Sequence, residues 1–146
     1  MNRRSLLLAA AALGLAVPGA SAATPDDAAA IRHRMLALFD KPDQPLVVDP
    51  IAVSGDYAVA SWTQGEIGGR ALLRRDAGAW RMILCSGDGL TTAPLIRQAG
   101  AADAVAANLV GRLAAAEAAI DPARRARFSL FQGVVPVDDG GHHHGG

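Results

Sequence analysis

The stretch LVVDPIAVSGDYAVASWTQGEIGGRALLRRDAGAWRMILC, residues 46–85, decides the fold. It divides into four runs rich in Val, Ile, Leu and aromatic residues, at 46–53, 57–63, 70–75 and 80–85. Such side chains suit a pleated surface, and each run is bounded by turn formers. Ser54-Gly55-Asp56 and Asp76-Ala77-Gly78 read as short turns, and 64–69, with three glycines, reads as a longer loop. Consecutive strands joined this closely pair antiparallel, so the stretch predicts a four-stranded β-meander. Pro50 has no N–H to give a ladder, which makes the first strand bent or an edge strand. Alternation in the last strand puts Trp80, Met82 and Leu84 on one face, the expected core, and Arg81, Ile83 and Cys85 on the other.

The flanks read as helices. Before the meander, 24–39 opens with Thr24 as N-cap, Pro25 at the first helical position, and Asp26 and Asp27 at the positive end of the dipole. Ile31, Met35 and Leu38 form its apolar stripe. After the meander, Thr92 and Pro94 open a short helix ending at Gly100. An alanine-rich helix over 101–120 carries Val105, Leu109, Leu113, Ala116 and Ile120 on one stripe. Asp121-Pro122 begins a third piece with Phe128 and Phe131. Periodicity then stops, and 136–146 reads as a flexible tail. The expected architecture is one α+β domain over 23–135, with the C-terminal helices packed on one sheet face. A cystatin-like or NTF2-like roll is one layout with this element order.

The first 22 residues read as a signal peptide. Arg3-Arg4 supplies the positive start, the run from Leu6 to Val17 is short and apolar, and Ala20-Ser21-Ala22 is a small-x-small cleavage site. Cleavage is expected between Ala22 and Ala23. A spanning helix needs about 20 apolar residues, and Pro18-Gly19 interrupts this run well before that. Arg3-Arg4 leaves both general and twin-arginine export open. Removing 1–22 takes Arg3 and Arg4 from the 14 basic residues and none from the 14 acidic, leaving a formal charge of −2. That gives no electrostatic footprint for nucleic acid or an anionic membrane surface. The expected location is the periplasm, with no membrane span after cleavage.

Few side chains are chemically pointed. His142-His143-His144, near Asp138 and Asp139 on a glycine-rich chain, is a short imidazole tract of the kind that takes Cu, Zn or Ni. The expected cofactor is copper, weakly bound by His142, His143 and His144. Cys85 stands alone, so no intramolecular disulfide forms, and it reads as a small residue at a strand end rather than a nucleophile. Met82, three residues away, is expected on the opposite strand face. His33 and Met35 point about 200° apart on a helix, so Met35 reads as core. Arg124, Arg125 and Arg127 read as a solvated helix face. Ser86-Gly87-Asp88-Gly89 lacks the Gly-Lys-Ser/Thr ending of a phosphate loop. Gly65, Gly68 and Gly69 do not follow a dinucleotide fingerprint. The expected start Ala23-Thr24-Pro25 carries proline where an amino-terminal copper site needs histidine. No catalytic motif is present, and no enzyme activity is expected.

Four blocks are similar to a family of small exported bacterial proteins, the copper uptake system-associated proteins. They are Lys41-Pro42-Asp43-Gln44-Pro45-Leu46, Gly55-Asp56-Tyr57-Ala58-Val59-Ala60-Ser61-Trp62, Gly69-Arg70-Ala71-Leu72-Leu73-Arg74-Arg75 and Leu84-Cys85-Ser86-Gly87-Asp88. The likeness runs over residues 31–131. None of the blocks is itself a metal motif. The resemblance implies periplasmic copper handling beside copper chaperones and membrane transporters, a histidine-bearing C-terminal tail, and no catalytic residues. The function expected is a copper-handling accessory that binds copper or helps deliver it. The alternative is a metal-free interaction or small-molecule-binding domain with a pocket between sheet and helices.

Overall fold

The structure, a computed structural model, describes residues 24–139. The expected signal peptide over 1–22 and His142, His143 and His144 lie outside the described residues. Helix α1 spans Pro25–Phe39, and the Thr24 side chain accepts from the Asp27 N–H at 3.1 Å as an N-cap. Strands β1 (Leu46–Ser54), β2 (Tyr57–Gln64), β3 (Ile67–Asp76) and β4 (Ala79–Ser86) follow as an antiparallel meander. A 3-10 turn at Asp88–Thr91 leads to α2 (Ala93–Gln98), α3 (Asp103–Ala118) and α4 (Pro122–Arg127). The α+β order is the one read from the sequence.

A fifth strand, β5 (Val134–Pro136), was not expected. It pairs antiparallel with β4, Ser86 opposite Val134 and Leu84 opposite Pro136. The Val137 N–H then donates to the Ile83 carbonyl at 2.9 Å. Asp139 is buried, pairing with the Arg34 guanidinium and accepting from the Met82 N–H at 2.7 Å. The expected domain end at 135 therefore falls inside a strand, and the chain stays fastened through Asp139. Three exposed residues carry too little pattern to announce a strand.

Both sheet faces are covered: the C-terminal helices α2 and α3 pack on one, as expected, and α1 packs on the other. One face packs on Ile31 and Met35 of α1 through Val48, Ala60, Trp62, Leu73, Trp80 and Met82. The other packs on α2 and α3 through Val59, Leu72, Leu84, Ile96, Leu109 and Leu113. The apolar runs Ala58-Val59-Ala60 and Ala71-Leu72-Leu73, buried at every position, are the sequence mark of a central strand covered on both sides.

Two irregularities set the faces. In β4, Met82 pairs with Leu73 and Leu84 with Leu72, so Ile83 is an extra residue. Such a bulge reverses the alternation beyond it. Leu84 therefore leaves the face of Trp80 and Met82, contrary to the expected grouping, and Cys85 joins it. In β1, Val48 pairs with Trp62 and Ile51 with Ala60, which puts Pro50 in a bulge on an edge strand, where proline is tolerated.

The loop expected at 64–69 is instead a tight hairpin. Gln64 pairs with Ile67 across Gly65-Glu66, and Gly65 has φ +59°. Gly68 and Gly69 lie within β3 because neighbours approach too closely for a side chain. A Cβ on Gly68 would stand 2.7 Å from the Arg127 carbonyl oxygen. One on Gly69 would stand 2.9 Å from both Trp62 Cζ2 and Phe131 Cβ.

Candidate functional site

Two places gather side chains with chemistry. The first lies on the face under α3. Arg70 of β3 donates from Nε to Glu117 Oε1 and from Nη2 to Oε2, both at 2.7 Å, a bidentate pair. The Ser61 hydroxyl donates to Glu117 Oε1 at 2.6 Å. Arg70 Nη1 donates to Asp88 Oδ1 at 3.2 Å, and the guanidinium lies 5.7 Å from the Phe128 ring centroid. Side-chain exposure is 4% for Arg70 and 9% for Glu117. Ser61 holds no base, because its carboxylate partner is committed to Arg70. This cluster fastens α3 to the sheet.

The second place is a cavity of about 230 Å³ on the face under α1. Met35 and Phe39 come from the helix, Leu46 from β1, and Trp62 and Gln64 from β2. Met82 and Cys85 come from β4, and Phe131, Val135 and Val137 form the C-terminal wall. Its surface is almost wholly apolar. The absence of a side chain at Gly69 lets the Trp62 indole lie across β3, where Phe131 meets it edge-on at 6.0 Å and 77°. The Trp62 residue is 8% exposed, and its indole N–H has no hydrogen-bond partner among the described residues.

Met35 is buried and His33 exposed, as the helical angle requires. Met82 and Cys85 were expected on opposite faces, and the bulge at Ile83 brings both into the cavity. Asp88 and Glu66 lie outside it, exposed. Arg124 is not a solvated charge: its guanidinium donates to the Asp49 carbonyl at 2.6 Å and to Thr63 Oγ1 at 3.2 Å. Arg127 donates to the Gly65 carbonyl at 3.0 Å. Asp139 is taken by Arg34 and the Met82 N–H, which removes it from the oxygen donors expected beside the tail histidines.

Burial pushes the Cys85 thiol up to about 11. It is a protonated thiol at neutral pH and a poor nucleophile. The folded value lies above the ordinary value near 8.5. Its contribution to stability is therefore complete below about pH 8.5 and is lost as pH rises through 11. By linkage this group alone is expected to remove on the order of 2–3 kcal/mol over that window. Urea melts of the parent and of Cys85→Ala across it check this: the alkaline loss should be smaller in the variant, and equal losses would contradict a buried thiol.

Comparison with known proteins finds no family model, no curated protein and no solved structure that matches the chain. The class that fold and site define is a five-stranded antiparallel sheet between helices, with an apolar cavity under α1. Among the described residues no group of three His, Cys, Asp or Glu side chains is placed to hold a metal ion, and no helix is long and apolar enough to cross a membrane.

Proposed function

We propose that this chain is an exported, periplasmic copper-handling accessory protein. It binds copper, or helps deliver it to copper transport or chaperone proteins within an uptake system, and it is not an enzyme. The observation that carries the reading is a convergence of sulfur. Met35, Met82 and Cys85 are all the sulfur-bearing residues between 24 and 139, and all three line one cavity. Thioether and thiol are soft donors, the class that favours copper in its lower oxidation state. In sequence, the segment carrying Val135 and Val137 is followed after Asp139 by His142, His143 and His144. Imidazole suits Cu(II), which stands at the top of the divalent affinity order. Ordering a glycine-rich segment around an ion lowers its affinity relative to a rigid site.

Cu(II) titrated into the full chain is therefore expected to bind with modest affinity, and His142→Asn/His143→Asn/His144→Asn to lose that binding. Folding stability should be equal in the two proteins without copper. Undiminished Cu(II) binding by the variant would remove the tail from the reading.

The same cavity favours a second reading, a metal-free small-molecule-binding domain. Its volume and apolar wall, with one unpartnered indole N–H, suit a small apolar molecule carrying a single hydrogen-bond acceptor. Metal analysis and native mass spectrometry of protein from copper-supplemented cells separate the two: retained copper favours the first, a retained organic molecule without copper the second.

A further inference from the structure

We propose that Met35, Met82 and Cys85 form a Cu(I) site inside the cavity under α1, with two thioethers and one thiolate as ligands. This rests on the copper-handling reading and adds to it the oxidation state, the ligand set and the place. Three separate features bring these residues to one cavity. Met35 sits one helical turn after Ile31 on the buried stripe of α1. Met82 faces α1 from β4. Cys85 would face away from both at a spacing of three, and it turns inward only because Ile83 is an extra residue in the ladder.

The donor set selects the ion. Among the described residues no imidazole and no carboxylate lines the cavity, so the described wall offers sulfur rather than the ligands that suit Zn, Ni and Cu(II). Thiolate with thioether is a soft set, and Cu(I) is the soft ion it fits. The cavity is larger than a bare ion. Methionine is unbranched, with three rotatable bonds, so rotation of Met35 and Met82 would bring their sulfurs onto a common ion.

The Trp62 indole supplies a second, independent observation. It is more than nine-tenths buried on the cavity wall, and its N–H has no partner among the described residues. A buried donor without an acceptor is costly and calls for a partner. Among the described residues it meets no acceptor, whereas a metal-bound thiolate would be an anionic acceptor generated inside the same cavity. The binding step balances without redox change. The Cys85 S–H bond breaks, a sulfur–Cu(I) bond forms, and one proton passes to solvent while copper stays Cu(I).

The test uses the full chain carrying His142→Asn/His143→Asn/His144→Asn, titrated with Cu(I) under anaerobic, reducing conditions against a chromophoric Cu(I) chelator. One Cu(I) per chain is expected, with a thiolate-to-copper charge-transfer band in the ultraviolet. Met35→Leu and Met82→Leu preserve apolar volume, which cores tolerate. Each is expected to weaken Cu(I) binding at least about tenfold, with near-UV circular dichroism unchanged. Cys85→Ala is expected to abolish the band. Met→Leu variants that hold Cu(I) as tightly as the parent would overturn the site. Copper held by the unsubstituted chain but lost when the tail histidines are replaced would overturn this site and leave the copper-handling reading standing. No copper on any form would overturn both.

Discussion

Glu117→Ala is expected to lower folding stability by about 3–5 kcal/mol, because it strands a buried guanidinium. The Arg70 side chain is 4% exposed and gives two of its hydrogen bonds to Glu117, both at 2.7 Å. Its remaining partners, Asp88 Oδ1 at 3.2 Å and the Phe128 carbonyl at 3.4 Å, are longer contacts. The loss measures the isolated charge, not the worth of the pair, since bringing both ions out of water offsets most of their attraction. Arg70→Met combined with Glu117→Leu should therefore recover most of the stability, with similar volume and no buried charge. Urea melts of the single and double variants decide this. A single-variant loss under about 1 kcal/mol would mean that water reaches Arg70 once the carboxylate is gone.

Trp80→Ala is the other large effect, with an expected loss of about 3–5 kcal/mol from lost transfer energy plus the cavity left behind. Trp80 is 6% exposed in the layer beneath α1. Its indole N–H donates to Asp27 Oδ1 at 3.2 Å, and the Arg75 guanidinium stacks 4.7 Å from the ring. Arg75 also pairs with Asp27 at 2.7 Å, so three side chains tie the first turn of α1 to β3 and β4. Arg81→Ala should stay within about 0.5 kcal/mol, since that side chain is 41% exposed. Leu84→Ala gives the sharper contrast. Leu84 packs in the layer of α2 and α3, so its loss should add to that of Trp80→Ala with little coupling. Strong coupling between the two would mean they share a face after all, and that Ile83 is no bulge. Equilibrium urea unfolding of the three single variants and the double variant measures all of these terms.

The cavity was only partly legible in the sequence. Met35 is readable as core from its place on the helical stripe, and the separation of His33 from it follows from the same helical angle. Met82 was readable as core from alternation with Trp80. Cys85 was placed on the wrong face, because nothing in Arg81-Met82-Ile83-Leu84-Cys85 marks which residue will be left out of the ladder. That choice depends on how β3 meets β4, and one strand's own pattern does not record its partner. Gly68 and Gly69 misled for a related reason. Paired glycines favour a loop by local preference, but here they clear space for α4 and for the Trp62 indole.

Residue preferences along the chain set the parts governed by near neighbours. Helix α1 with its Thr24 cap, the four-strand meander, the edge position of Pro50 and the helical C-terminal half all follow from propensity, capping and short connections. Tertiary structure decided what depends on distant pairing. It added β5, whose three residues take their form from the edge of β4. It covered both faces of the sheet, sent Leu84 to one layer and Cys85 to the other, and buried Arg70 against a carboxylate 47 residues away. These outcomes turn on register and close approach between segments far apart in the chain, and local residue preferences carry no energy term for either.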